Sequence, residues 1–180
     1  MLIALGVDPG LRATGYCILQ GDHLGCRVRE LGVLSVSQAD LTGRLQEIHG
    51  EVAALLRETR PHVVVLEDLF AHQRFPRTAL HLAHLRGVIA LAVAQAGLGI
   101  ETLAPAAVKR VLTGNGRASK TQVQAMVMRL LGLTGRPGSH SADAAALALT
   151  ALSRRGVALA PGRGPALHPP RAAAAAGART

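Results

Sequence analysis

Cysteine, long apolar runs and, in its second half, acidic residues are what this sequence has least of. Cys17 and Cys26 are its only cysteines in 180 residues. They lack the paired spacing of a zinc site, and in a reducing compartment they are expected as free buried thiols. No apolar run reaches the ~18 residues of a membrane span. The opening Met-Leu-Ile-Ala has no basic segment ahead of it, so no signal peptide and a cytoplasmic location are expected. Residues 1–101 hold 9 basic and 10 acidic side chains, whereas residues 102–180 hold 11 basic side chains and a single acid, Asp143. The net charge of +9 therefore falls on the second half. A half this basic points to a polyanionic partner, and it makes its one acid worth explaining.

What is present is organised around Leu2 to Tyr16. Leu2-Ile3-Ala4-Leu5-Gly6-Val7 is an apolar run of buried-strand length. Asp8 stands where the run leaves the core, and Pro9-Gly10 turns the chain. Thr14 to Leu19 resumes as β-type sequence, which predicts a hairpin. An acid at the end of a central strand is a rigid post for a metal or a phosphate; Asp before Pro-Gly is also ordinary turn chemistry.

His23 to Val36 reads as a third strand, giving an antiparallel meander. Leu41, Leu45, Ile48, Val52, Leu55 and Leu56 follow the helical period over 41–59, and Pro61 marks the stop. His62 to Leu66 is a β-branched run of the kind covered on both faces in a parallel sheet. It ends at Glu67-Asp68, and sites gather at the carboxyl ends of such strands. A polar loop spans 71–77. Thr78 to Ala96 is a helix apolar nearly all round: Leu80, Val88 and Leu91 on one side, Leu82, Leu85, Ile89 and Val93 on another. Such a helix must be covered twice, by the sheet and by an identical partner, which predicts a homodimer through helix 78–96. His72, His81 and His84 show no ligand pair with a nearby acid and read as polar surface positions.

Leu98 to Leu103 is a short strand, and 106–112 a short helix ending at Lys109-Arg110. A flexible glycine-bearing loop at 113–118 follows, flanked by Lys109, Arg110, Arg117 and Lys120. Glycines let a backbone approach a phosphate, and the cations supply the charge. Ser119 caps the next helix, with Gln122 completing a capping box. Ser139 to Ser153 forms the last helix. His140 and Asp143 share one face of its first turn. One domain over 1–155 is expected, followed by a disordered basic Pro/Gly/Ala-rich tail, 156–180.

Asp8, Glu67, His140 and Asp143 all fall at element ends that the topology can bring together. Two carboxylates ~4 Å apart repel by on the order of 4 kcal/mol at an effective dielectric near 20. Cations would make such a cluster tolerable. Oxygen ligands suit Mg²⁺ or Mn²⁺, and an imidazole favours Mn²⁺. Two ions ~3.5–4 Å apart would serve phosphodiester hydrolysis, with Lys120 neutralising charge on the phosphate.

These segments resemble the RuvC family of bacterial Holliday-junction resolvases, in the ribonuclease H-like superfamily. The resemblance is carried by GVDPGLRATGY at 6–16, VVVLEDLF at 63–70, HLRGV at 84–88, VKRVLTGNGRASKTQVQAMV at 108–127 and HSADAAALALT at 140–150. It implies an α/β fold with a mixed five-stranded sheet flanked by helices. It implies a homodimer that resolves four-way junction DNA by paired symmetric nicks, with metal ligands at Asp8, Glu67, His140 and Asp143. It also implies base contacts from Phe70, phosphate contacts from Lys109 and Lys120, and partnership with a branch-migration complex of the RuvA and RuvB type. An actin-like ATPase shares the Asp8-Pro9-Gly10 turn, but it needs a second such turn and about twice the length.

Overall fold

The computed structural model describes residues 1–10, 12–68 and 76–160, with the side chains of 76 and 77 left aside. Phe70, most of the 71–77 loop and residues 161–180 of the expected tail lie outside the described residues. The strands are β1 (Leu2–Asp8), β2 (Ala13–Asp22), β3 (Gly25–Ser35), β4 (Val63–Glu67) and β5 (Ile100–Leu103). The helices are α1 (Leu41–Thr59), α2 (Pro76–Gln95), α3 (Pro105–Thr113), α4 (Lys120–Leu131) and α5 (Ser139–Ser153). One mixed sheet has the order β3-β2-β1-β4-β5. The β1–β2 and β2–β3 pairs are antiparallel, as the meander predicts, and β1–β4 and β4–β5 are parallel.

Alternation along the strands sorts side chains into two cores. Leu5, Val7, Tyr16, Ile18, Val64 and Leu66 meet α1 and α2 on one face. Ala4, Cys17, Leu19, Val63 and Val65 meet α3, α4 and α5 on the other. A strand buried on both faces cannot alternate with polar residues, which is why β1 and β4 read as continuous apolar runs. Both cysteines are free thiols.

Helix α5 sits unusually deep. Ala144, Ala145, Ala148 and Ala151 are fully buried, and short side chains let the helix axis approach the sheet. Glycine completes the fit from the other side. A Cβ on Gly6 would lie 2.0 Å from the Ala144 carbonyl oxygen, and one on Gly15 would lie 2.1 Å from that of His140. No larger residue is accommodated at either position while the helix stays where it is.

Helix α2 shows which side of its apolar perimeter meets the core. Leu85, Ile89 and Val93 are buried and form the inner edge. Leu80 and Leu91, at 56% and 53% exposure, form the outer edge. The unbroken-run criterion also understated this helix: Thr78–Gln95, with mean hydropathy 1.2, is long and apolar enough to cross a membrane by length and composition alone. Only 22% of that stretch is buried within the chain.

Gly15→Ala is expected to destabilise the protein by on the order of 3 kcal/mol, since the contact it creates is with backbone and not with a movable side chain. Thermal or urea denaturation measures this, and an unchanged midpoint would show that α5 can lift without cost.

Candidate metal centre and nucleic-acid interface

Val7 pairs with Leu66 in the parallel β1–β4 ladder, so Asp8 and Glu67 leave the sheet side by side at adjacent carboxyl ends. The first turn of α5 arrives over them from β2. Its seating on Gly15 fixes the height of His140 above the sheet, and a Cβ on Gly10 would lie 2.7 Å from the His140 ring. His140 Nδ1 is thereby held 2.6 Å from Asp8 Oδ2. One turn of helix further, Asp143 Oδ2 accepts from Lys120 Nζ at 2.6 Å. Lys120 is the first residue of α4, placed by the Ser119–Gln122 capping box that the sequence predicts.

The acids are in an unfavourable setting. Burial raises the Asp8 carboxyl above its usual range; the His140 contact works against this, and the Asp143 charge works with it. Burial also raises Glu67, followed by the charges of Asp8 and Asp143, while Lys120 and Lys109 oppose. Glu67, Asp143, Lys109 and Lys120 line a cleft of about 250 Å³ whose walls are aliphatic, including Val108, Val123 and Leu147.

The donor set fits a hard divalent cation in chemistry and in charge: ionisable oxygens, half-buried, repelling one another. Among the described residues, no three His, Cys, Asp or Glu side chains stand together at ligand spacing. Asp8 is turned onto His140 and Asp143 onto Lys120, so an arriving cation would compete with those two groups for the carboxylates.

The other predicted cations divide. Lys109 is half-buried in the cleft, while Arg110 and Arg117 are exposed and are not among the residues that line it. The loop between them is not the flexible segment expected. Thr113 Oγ1 donates to the Lys109 carbonyl, the Asn115 N–H donates to Thr113 Oγ1 and the Arg117 N–H donates to Asn115 Oδ1. Gly114 caps α3 with φ of 75°, a left-handed conformation that glycine adopts freely. His81 and His84 are exposed on α2, as expected of polar surface positions. Sequence reasoning gave Arg86 no role, yet its Nη1 donates to the Glu67 carbonyl from α2. The available signal was a cation inside an otherwise apolar helix.

Comparison with known proteins bears on this geometry. The family model described as crossover junction endodeoxyribonuclease RuvC matches residues 4–151. The chain belongs to the RuvC family. The RuvC of Rhodopirellula baltica is 42% identical over 147 residues, covering 81% of this chain and 83% of that protein. The RuvC of Halorhodospira halophila is 45% identical over 145 residues, covering 81% and 86%. Among solved structures, Thermus thermophilus RuvC in complex with Holliday junction substrate superposes with a TM-score of 0.79 at 31% identity, over 87% of this chain and 98% of that one. The yeast mitochondrial resolvase Ydc2, at 16% identity and a TM-score of 0.60, shares the fold. The ribonuclease H-like mixed sheet expected from the sequence is thus the RuvC fold.

The raised Glu67 carboxyl has a consequence for stability. An acid whose folded pKa exceeds its unfolded value destabilises the fold once ionised; stability falls as pH rises from the usual carboxylate range through the raised value. Above the raised value that penalty is fully present, and Glu67→Gln removes it. The variant is expected to melt higher than the parent at pH 7 without divalent cations, by on the order of 2–4 °C. The gain should fade as the pH falls toward 4.5, the ordinary value for the group. Calorimetry across that range checks both the sign and the window.

Proposed function

We propose that this chain is a divalent-metal-dependent endonuclease that resolves four-way DNA junctions by paired, symmetric nicks, in recombination and DNA repair. One observation carries the reading: β1, β4 and the first turn of α5 bring Asp8, Glu67, His140 and Asp143 to the same end of the sheet, within one another's electrostatic reach, in a chain of the RuvC family. Asp8, Glu67, Asp143 and His140 are the residues that would hold the ions, two Mg²⁺ or Mn²⁺ per site. When bound, such ions supply activation of the attacking water and stabilisation of the leaving oxygen. The residues themselves do the rest. Glu67 and Asp143 set the negative pocket that draws the cations in. Lys120 is placed to turn from Asp143 to a phosphate oxygen, which couples substrate arrival to the freeing of a carboxylate. Lys109 in the cleft, with the exposed Arg110 and Arg117 on and just after α3, would give the DNA backbone a basic track whose binding weakens with salt. A DNA substrate of this kind accords with a cytoplasmic location.

The homodimer belongs to the same reading. What supports it is the outer edge of α2, where Leu80 and Leu91 are exposed beside Gly87 on an apolar helix of which only 22% of the stretch Thr78–Gln95 is buried within the chain. Two copies joined through that edge would present two sites to a two-fold junction. Partnership with a branch-migration complex of the RuvA and RuvB type follows from the family resemblance.

Two measurements test this. Asp8→Asn is expected to abolish nicking of a synthetic four-way junction while leaving junction binding in chelator close to that of the parent. A variant that cuts at the parental rate removes Asp8 from the site. Leu91→Glu is expected to sediment as a folded monomer, because it charges the outer edge alone. Ile89→Glu buries its charge in the core and is expected to unfold instead.

A further inference from the structure

We infer that Arg86 is a positioning residue for Glu67, standing in for a backbone donor that the sequence has deleted. The inference rests on reading Asp8, Glu67, His140 and Asp143 as a divalent-cation site.

The missing donor follows from the register. In a parallel ladder, the polar groups of successive residues turn to opposite neighbours. The Asp68 N–H bonds the Leu103 carbonyl on β5 at 2.9 Å, so the N–H and C=O of Glu67 face β1. Val7 stands opposite Leu66, which places Asp8 opposite Glu67 and makes residue 9 the next donor in line. Residue 9 is proline and has no N–H. The ladder therefore stops one bond short, at the residue that must hold its side chain still. Arg86 Nη1 reaches that carbonyl from α2, on the α1–α2 side of the sheet. A strand-end carbonyl left without a partner in a half-buried setting is costly, and a free strand end would let the Glu67 carboxylate drift.

The contact acts on the main chain and not on the carboxyl charge. The charges that shift the Glu67 carboxyl are those of Asp8, Asp143, Lys120 and Lys109; Arg86 is not among them. Losing Arg86 should therefore loosen the geometry of the site and leave its electrostatics in place. It also explains why an apolar helix keeps one cation turned inward, beside Leu85 and Ile89.

The experiment is Mn²⁺ binding to the full chain without DNA, followed by the loss of the free-ion paramagnetic resonance signal. The parent, Arg86→Met, Arg86→Lys and Pro9→Ala/Arg86→Met are compared, with thermal melts of each. Arg86→Met is expected to weaken Mn²⁺ binding ~10–100-fold, the usual effect of removing a group that orients a ligand. Junction binding in chelator should be unchanged. Arg86→Lys should retain part of the affinity through its single donor. Pro9→Ala returns an N–H to the position and should recover part of what Arg86→Met loses, which a merely structural arginine would not allow. Parental Mn²⁺ affinity in Arg86→Met overturns the inference, as does an absence of recovery in the double variant. A parent that binds no Mn²⁺ overturns the cation-site reading itself.

Discussion

The site depends on how closely one helix lies on the sheet. Glycine at 6 and 15 removes the two Cβ atoms that would hold α5 away, and the alanines of α5 remove the bulk on the opposing side. The close fit is a matter of sterics, yet its product is electrostatic. It lowers the first turn of α5 until His140 meets Asp8 and Asp143 comes within the field of Glu67. Raising the helix by the width of a methyl group would leave every element intact and scatter the acids.

Gathering those acids works against the fold. Burial and mutual repulsion raise both Asp8 and Glu67, and the chain offsets the strain with His140, Lys120 and Lys109. These are weak, displaceable partners. Lys120 and His140 are substantially exposed, so solvent screens them and a divalent ion or a phosphate can take over their contacts. A pocket closed by stronger, buried pairs would be more stable and less open to exchange. The uneven charge of the chain fits the same design: cations dominate the second half, and its one acid, Asp143, stands in the cleft paired with Lys120.

The two faces of the sheet divide the work. The α3–α4–α5 face carries the cleft with Lys109 and Lys120 in its lining. The α1–α2 face carries a second core, an exposed apolar edge and, through Arg86, a hold on the end of β4. A single parallel strand connects both layers to the same carboxylate, which is why β4 has no tolerance for polar residues before Glu67.

The sequence by itself determined the elements and singled out the candidate site residues. Periodicity located α1 and β4, the Ser119–Gln122 box located the start of α4, and acids at strand ends singled out Asp8 and Glu67, because each of these signals is local. It misjudged what depends on distant partners. The 113–118 loop reads as flexible from its glycines, but Thr113 and Asn115 bond it into a fixed turn. The apolar perimeter of α2 said that two surfaces would cover it, and not which residues met which. Arg86 lies within the HLRGV segment that carries the family resemblance, yet the segment says nothing of its contact, which appears only when the β1–β4 register puts Pro9 beside the Glu67 carbonyl. Tertiary structure alone decided these points, because register and helix depth are set by contacts between residues far apart in the chain, and no window of sequence contains both sides of such a contact.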